Sequence, residues 1–435
     1  MNDNRFWAPS IETMPGEKRA RHQISLLNHT LQMAVAGSPY YRAHLPTTRL
    51  DSLDEIRSLP FMTKGVIRDR QEAAPPFGDL VAVPEEEIIY ISASSGSTGS
   101  PTASPFTADD FDRWMEVEAR IFYGTGLRSH HRYCHALNFS LFVGGPCVLG
   151  AQRLGALCIH AGTIPSERLL HILSQFQPHA IWTTPSYAWY LGETAEREGI
   201  DPANDLAIER IYVAGEPGGS IPATRHRIET LWDAKVFDFF GISDIFGACA
   251  GECTEQAGMH IAEDQVLVEV IDPVTGEPVN EGERGEMVLT TLQKRARPLI
   301  RFRTGDIVSF TDEPCACGRT HRRLLGVHGR TDDMLIIKGV NLFPGDIEAV
   351  VRSAPDLSGE YRVIVDRRSQ LDTLTLEVEA RTVATDLLRQ RTEIARELKA
   401  RLGISAEVSV LPPDSLPRET HKARRIVDRR GSVWG

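Results

Sequence analysis

The sequence has no run of about twenty apolar residues such as a membrane-crossing helix needs. Its first stretch, MNDNRFWAPSIETMPGEKRARHQ, lacks the basic start and apolar core of a secretion signal. A cytoplasmic protein with no membrane partner is expected. Cations are in deficit too: 48 Lys and Arg against 59 Asp and Glu leave a net charge of −11. That balance argues against a nucleic-acid binder, because phosphate contacts need clustered cations. Cysteine occurs only 7 times. An odd number of thiols in a reducing compartment points away from disulfides and towards buried thiols, metal ligands or catalysis. No internal repeat or long low-complexity tract is present, and no G-x-x-x-x-G-K-[ST] loop of the common nucleotidases.

What is present is an ordinary globular composition, 41% hydrophobic and 25% charged, spread over 435 residues. One hydrophobic core rarely grows that large, so two or more domains are expected. Apolar residues fall at helical spacing from about Arg19 to Val35. From Ile88 onward, β-rich runs (IIYISAS, HRYCHAL, AIWTTP, IERIYVAG) alternate with amphipathic helical runs (DDFDRWMEVEARIFY, SERLLHILSQFQ, YAWYLGETAERE). Strands separated by helices imply crossover units and a mainly parallel sheet, whose ligands bind at the strand ends. Between Gln265 and Phe310 the pattern turns to hairpins, with DPVTGEPV and NEGERGEMVLTT between β-rich runs, so a small antiparallel sheet or barrel is expected there. Beyond Arg330 the order strand, helix, strand, strand, helix, strand outlines a compact α+β unit. The expected fold is therefore α/β, with a large domain over residues 1–329 and a small α+β domain over 330–435.

The loop SSGSTGSPT, Ser94 to Thr102, follows the strand-like IIYIS. Glycines allow close backbone approach to an anion, and hydroxyls add neutral donors, so a phosphate loop is the favoured reading. The loop resembles the nucleotide loop of the adenylate-forming acyl-CoA synthetases, and five further segments resemble that superfamily's motifs in order. They are VAGEPGGS (Val213 to Ser220), FDFFGISD (Phe237 to Asp244), RFRTGD (Arg301 to Asp306), GRTDDMLIIKGVNLFP (Gly329 to Pro344) and LPRETHKARR (Leu416 to Arg425). Within the superfamily, FWAPSIETMP, TTPSYAWYL, PCACGRTHRR and KARRIVDRR resemble the phenylacetate-CoA ligase family over essentially the whole chain.

That resemblance implies an enzyme that uses ATP to adenylate an aromatic carboxylic acid and then hands the acyl group to coenzyme A. It implies that Lys422 is catalytic, carried on a mobile small domain, with Asp332 as hinge and Gly339 along the thiol's path. The nucleotide is expected against Ser95, Gly96, Ser97, Thr98 and Gly99, with Glu216, Pro217, Asp238, Phe240, Gly241 and Ser243 around adenine, and Asp306 and Arg330 at the ribose side. Asp244 stands where the family has glutamate and is expected to help hold Mg²⁺. Ser100 stands where lysine is common, which removes a cation from the phosphates and predicts weaker ATP binding. The acid pocket is expected to include Asn138, Phe139, Ser140, Tyr187, Ala214, Gly215 and Ile245, with Ser186 as a further reader of a ring substituent. A homodimer is compatible with the resemblance. Two readings stand beside it: the same adenylation with a carrier-protein thiol or an amine as acceptor, and an ATP-binding protein that has lost catalysis, motivated by Ser100 and Asp244.

Cys253 and His260 in GECTEQAGMH and Cys315 and Cys317 in PCACGRTHRR supply three thiolates and an imidazole, a set that suits a tetrahedral structural Zn²⁺. Members of the resembled family often carry the same set. Four protein ligands leave no open position, so such a zinc serves structure. Cys249 is a substitute ligand, while Cys134, Cys147 and Cys158 sit in apolar runs and are expected in the core.

Overall fold

The computed structural model describes residues 5–94, 101–139, 143–332, 334–337, 340–368, 371–382, 386–417 and 425–429. The chain opens with helices α1 (Pro9–Glu12), α2 (Gly16–Gly37), α3 (Pro39–His44) and α4 (Lys64–Ala73). The helical spacing from Arg19 to Val35 is realised in α2, which buries Leu27, Leu31 and Ala34. A hairpin follows, β1 (Ile88–Ser94) paired antiparallel with β2 (Thr102–Thr107). Helix α5 (Ala108–Gly124) begins at a reciprocal cap in which Thr107 and Asp110 satisfy each other's backbone N–H. The Asp110 carboxylate also accepts from the backbone N–H of Arg295 and Ala296, pinning a distant loop to the start of α5.

The alternating middle then runs β3 (Arg132–His135), α6 (Cys147–Leu154), β4 (Leu157–His160), α7 (Ser166–Phe176), β5 (Ala180–Thr183), α8 (Pro185–Arg197), β6 (Arg210–Val213), α9 (Pro222–Trp232) and β7 (Lys235–Ile242). These strands are parallel, and β5 and most of β6 are buried on both faces, as continuous apolar runs in a covered sheet should be. Antiparallel strands β8 (Phe246–Gly251), β9 (Met259–Ile261), β10 (Val266–Ile271), β11 (Gly285–Thr291), β12 (Phe302–Thr311) and β13 (Arg323–Arg330) come next. They do not stand apart from the parallel strands. Through β7 the two sets form one mixed sheet in the order β10-β11-β12-β13-β9-β8-β7-β6-β5-β3-β4.

The rest comprises the ribbon β14 (Leu335–Ile337) and β15 (Val340–Leu342), helix α10 (Pro344–Ser353), strands β16 (Leu357–Arg368) and β17 (Leu371–Ala380), helix α11 (Leu387–Leu402), and strands β18 (Glu407–Leu411) and β19 (Ile426–Asp428). Its sheet has the order β18-β17-β16-β19, with an antiparallel central pair and parallel edges. Val363, Leu376, Ile394 and Leu398 share a hydrophobic core there, distinct from the two that fill the segment before Arg330. A core of its own is what lets a segment move as a body. Among the described residues no helix is long and apolar enough to cross a membrane.

Candidate nucleotide and acyl site

Strands β6 and β7 end side by side, with Val213 opposite Asp238. The loop after β6 carries Ala214, Gly215, Glu216 and Pro217 and turns back onto β7. At Gly219 a Cβ would come within 2.5 Å of the Asp238 carboxyl carbon, so only glycine lets this loop lie so close. Ser220 donates a hydrogen bond to Asp238. Burial, and then the neighbouring Glu252 carboxylate, push the Asp238 carboxyl up to about 7. Phe240, two residues on, lies in the main core at 9% exposure. Gly241 passes so close beneath Gly247 that a Cβ would collide with its backbone oxygen.

The β1–β2 hairpin is tied to the turn that follows β7. Ser92 donates through Oγ to the Ser243 carbonyl at 2.9 Å, and Ser104 to the Asp244 carbonyl at 3.1 Å. The predicted phosphate-loop residues Ser95 to Gly99, and Ser100, lie outside the described residues, but both strands that bracket them are anchored against Ser243 and Asp244.

Asp244 is buried and meets cations on both oxygens: Lys64 Nζ at 2.5 Å and Arg297 Nη2 at 2.9 Å. Burial alone would raise its pKa, but the charges of Lys64 and Arg297 outweigh it and hold the carboxyl below the usual range. Lys294 completes the group, donating to the Asp244 carbonyl and to Ser104 and lying 3.7 Å from the centre of the Phe106 ring. Burial, helped by Arg297, drives the Lys294 ammonium down to about 7. Sequence reasoning missed these three cations. They belong to no motif, and the Asp110 contacts that aim Lys294 and Arg297 exist only in the folded chain.

On the neighbouring strands, Asp306 of β12 lies opposite Arg330 of β13, and Arg330 Nη1 stands 3.2 Å from Asp306 Oδ1. Arg330 also holds the exposed Asp332 through Nε at 2.8 Å. Lys64 lies near enough to Arg330 for their charges to interact. The adenine-side loop reaches the same strands, because Gly326 of β13 packs under Ser220. Motifs far apart in sequence thus converge on one region of the large domain. Lys422 and Gly339 lie outside the described residues.

The residues expected around the acid divide. Gly215, at φ 91°, has nothing within 4 Å of where a Cβ would sit, which leaves open space beside the half-buried Ala214. Ile245 is fully buried, Asn138 half-buried, and Phe139 47% exposed. Tyr187 packs in the second core with its hydroxyl on that of Ser166 at 3.0 Å. Ser186 turns towards the C-terminal domain, where Arg352 and Arg425 donate to its hydroxyl. Ser140 lies outside the described residues.

Cys253, His260, Cys315 and Cys317 are all buried, with one ligand atom of each within 4.8 Å of all the others. The Cys253 and Cys315 sulfurs are 3.8 Å apart, and Cys317 Sγ lies 3.4 Å from His260 Nε2. Around a tetrahedral zinc with Zn–S of about 2.3 Å and Zn–N of about 2.0 Å, ligand atoms are spaced by roughly 3.4–3.8 Å, so these residues fit the ion. Gly318, at φ 87°, turns the chain so that its N–H reaches the Cys315 carbonyl and the Arg319 N–H points at Cys317 Sγ. Cys249 lies in the main core instead. The loop is also fastened to the start of the chain: Arg319 pairs with the buried Glu12 at 2.7 Å, and Arg19 donates to the Thr320 carbonyl at 2.8 Å.

Residues 19–293 match the family model for AMP-binding enzymes, and residues 339–430 that for the AMP-binding enzyme C-terminal domain. The chain is similar to the phenylacetate-coenzyme A ligase of Thermus thermophilus, at 36% identity covering 98% of this chain and 100% of that one. With the phenylacetate-coenzyme A ligase of Aromatoleum evansii it shares 37% identity, covering 97% and 96%. A solved structure of 2-hydroxyisobutyryl-CoA ligase in the postadenylation state, with 2-HIB-AMP, superposes with a TM-score of 0.93 at 34% identity, covering 98% of this chain and 93% of that one. The same ligase with 2-HIB-AMP and CoA in the thioesterification state gives 0.75, also at 34% identity, covering 99% and 94%.

Proposed function

The chain belongs to the phenylacetate-CoA ligase family of adenylate-forming enzymes, and from that membership we propose an aromatic acid as its substrate and a division of labour among its residues. The reaction itself has two halves. A carboxylate oxygen attacks the α-phosphorus of ATP and pyrophosphate leaves; the thiol of coenzyme A then attacks the acyl carbon and AMP leaves. The observation that carries the assignment of roles is the convergence of the Glu216 loop, Asp238, Asp244 with its cations, and the Asp306–Arg330 pair on one region.

In this reading Asp306 accepts from the ribose hydroxyls, since a carboxylate serves two neighbouring donors well. Asp238 and Phe240 meet adenine. Residues 1–329 hold the substrates. Residues 330–435 turn about Asp332, bringing Lys422 to the site for adenylation and Gly339 beside the thiol's path for transfer. Mg²⁺ is read as arriving on the ATP phosphates. Asp244, the carboxylate expected to help hold it, meets a cation on each oxygen, so its charge is already balanced and it fits a direct Mg²⁺ ligand poorly. The four-residue thiolate and imidazole set is read as a structural zinc site. Localisation in the cytoplasm completes the reading.

Lys64 is read as the phosphate-side cation that Ser100 does not supply. A Lys64→Met variant is expected to raise the KM for ATP roughly tenfold, with Arg297 still neutralising Asp244, because a hydrogen bond to a charged group is worth about 1.5–3 kcal/mol. An unchanged KM in steady-state kinetics would remove Lys64 from the site.

The aromatic acid is supported by the relatives at 36–37% identity, and the side of Gly215 that a Cβ would occupy is open. A small branched hydroxy acid is the second reading, favoured by the likeness to 2-hydroxyisobutyryl-CoA ligase. Exchange of labelled pyrophosphate into ATP separates them, using phenylacetate, hydroxybenzoates, aminobenzoates and 2-hydroxyisobutyrate. Exchange driven by an aryl acid is expected. Exchange driven only by 2-hydroxyisobutyrate would reverse the assignment.

A further inference from the structure

Helix α8 begins at Pro185–Ser186 on the large domain, and Ser186 is gripped from two sides. Its N–H donates to Glu216 Oε1 at 2.8 Å, so the adenine-side loop holds its backbone. Its hydroxyl faces the other way and takes two guanidinium donors, Arg352 Nη2 of α10 at 2.7 Å and Arg425 Nη2 at 3.3 Å. A serine oxygen has two acceptor sites, so one hydroxyl serves both.

Neither arginine is free to look elsewhere. Arg352 pairs with the buried Glu348 at 2.9 Å, and Arg425 with Glu360 at 2.9 Å while lying over the Tyr361 ring. Arg425 also donates, at the limit of hydrogen-bonding distance, to the Tyr361 carbonyl. These pairs aim both guanidinium groups before Ser186 arrives. The surface around the serine is built for close approach: Gly359 lies on the Trp189 ring, where a Cβ would come within 3.0 Å of it. Trp189 is one helical turn along from Ser186 on the same face of α8.

We propose that Ser186 is the large-domain half of a latch that holds the C-terminal domain in its adenylating orientation. The inference rests on the two-orientation reading above and adds the device that sets the balance between the two states. Arg425 stands three residues after Lys422 in the sequence, so anchoring it to Ser186 ties the stretch that bears the lysine to the large domain. Because Glu216 holds the same residue, the nucleotide loop and the latch share a joint, and displacement of that loop loosens both. Releasing the latch frees the domain to turn for the thiol. Ser186 is thus a positioning residue that acts through Lys422 and touches no reacting atom.

The test compares Ser186→Ala with Lys422→Ala in both half-reactions and in domain geometry. Adenylation, followed by pyrophosphate exchange with phenylacetate, should slow about tenfold in Ser186→Ala, while thioester formation from preformed phenylacetyl-adenylate and coenzyme A stays within about twofold. A general folding defect would lower both. Spin labels at Glu198→Cys and Arg391→Cys, two exposed positions on opposite domains, report orientation without any acid. Their distance distribution should broaden in Ser186→Ala. An unchanged distribution overturns the latch, as does exchange at the wild-type rate. If Lys422→Ala blocks exchange while Ser186→Ala does not, the latch fails alone. If neither variant slows exchange, the two-orientation reading fails with it.

Discussion

Replacing Lys422 by alanine is expected to slow formation of the acyl-adenylate by roughly 10²–10³-fold and to leave coenzyme A able to capture a preformed adenylate. The expectation follows from where charge appears. Two anions approach each other in the first half-reaction, and negative charge builds on the oxygens around the α-phosphorus as pyrophosphate departs. Beside Lys64, three described cations of the large domain stand near the site, and these are committed. Arg297 lies against Asp244, Arg330 against Asp306, and Lys294 is turned to backbone carbonyls and a ring face. A lysine brought in by a moving domain adds charge at the moment it is needed and takes it away before a thiol must pass. The second half-reaction breaks the bond between the acyl carbon and oxygen and neither makes nor breaks a bond at phosphorus, so it does not call on the lysine in the same way. Single-turnover measurement of the two halves decides the matter, and an equal loss in both would contradict the division of labour.

The second large effect concerns the cysteines. Protein purified without chelator is expected to carry zinc equimolar with the chain by elemental analysis. Replacing Cys315 or Cys317 by serine is expected to release the zinc and lower the melting temperature by on the order of 10 °C, as loss of a structural metal typically does. The effect should exceed that of replacing Cys134, a thiol that is simply core. Three buried thiols beside a buried imidazole have poor company when the metal leaves, since thiolates clustered out of water repel and thiols are weak donors. A metal-free preparation with wild-type stability would return the cluster to ordinary buried thiols.

Much of this molecule can be read along the chain. The runs AIWTTP and IERIYVAG become β5 and β6 because strands covered on both faces must be apolar throughout. The α5 boundary is legible in Thr107 and Asp110 for a local reason, a reciprocal cap. Some glycines of the motifs are legible as marks of close backbone approach, as Gly219 packed against the Asp238 side chain illustrates. The union of parallel and antiparallel strands through β7 is not legible, since strand order is decided by pairings across the fold. Lys64, Lys294 and Arg297 were invisible for the same reason. A lone cation in a sequence says nothing of its burial until a carboxylate such as Asp244 is brought to it. The contacts of the Ser186 hydroxyl were not legible, because the arginines that donate to it come from residues far along the chain.

The fastening of the first helices to the loop beyond β12 also fixes a timetable. Arg19 and its partner Thr320 are 301 residues apart, and Glu12 meets Arg319 over a similar span. On the ribosome, at about 5–20 residues per second, α1 and α2 wait roughly 15–60 s before their anchor is made. Until then Glu12 lacks the ion pair with Arg319 that fastens it in the finished fold. The tie between the chain's opening helices and the loop bearing Cys315 and Cys317 is therefore made only after most of the large domain has been synthesised.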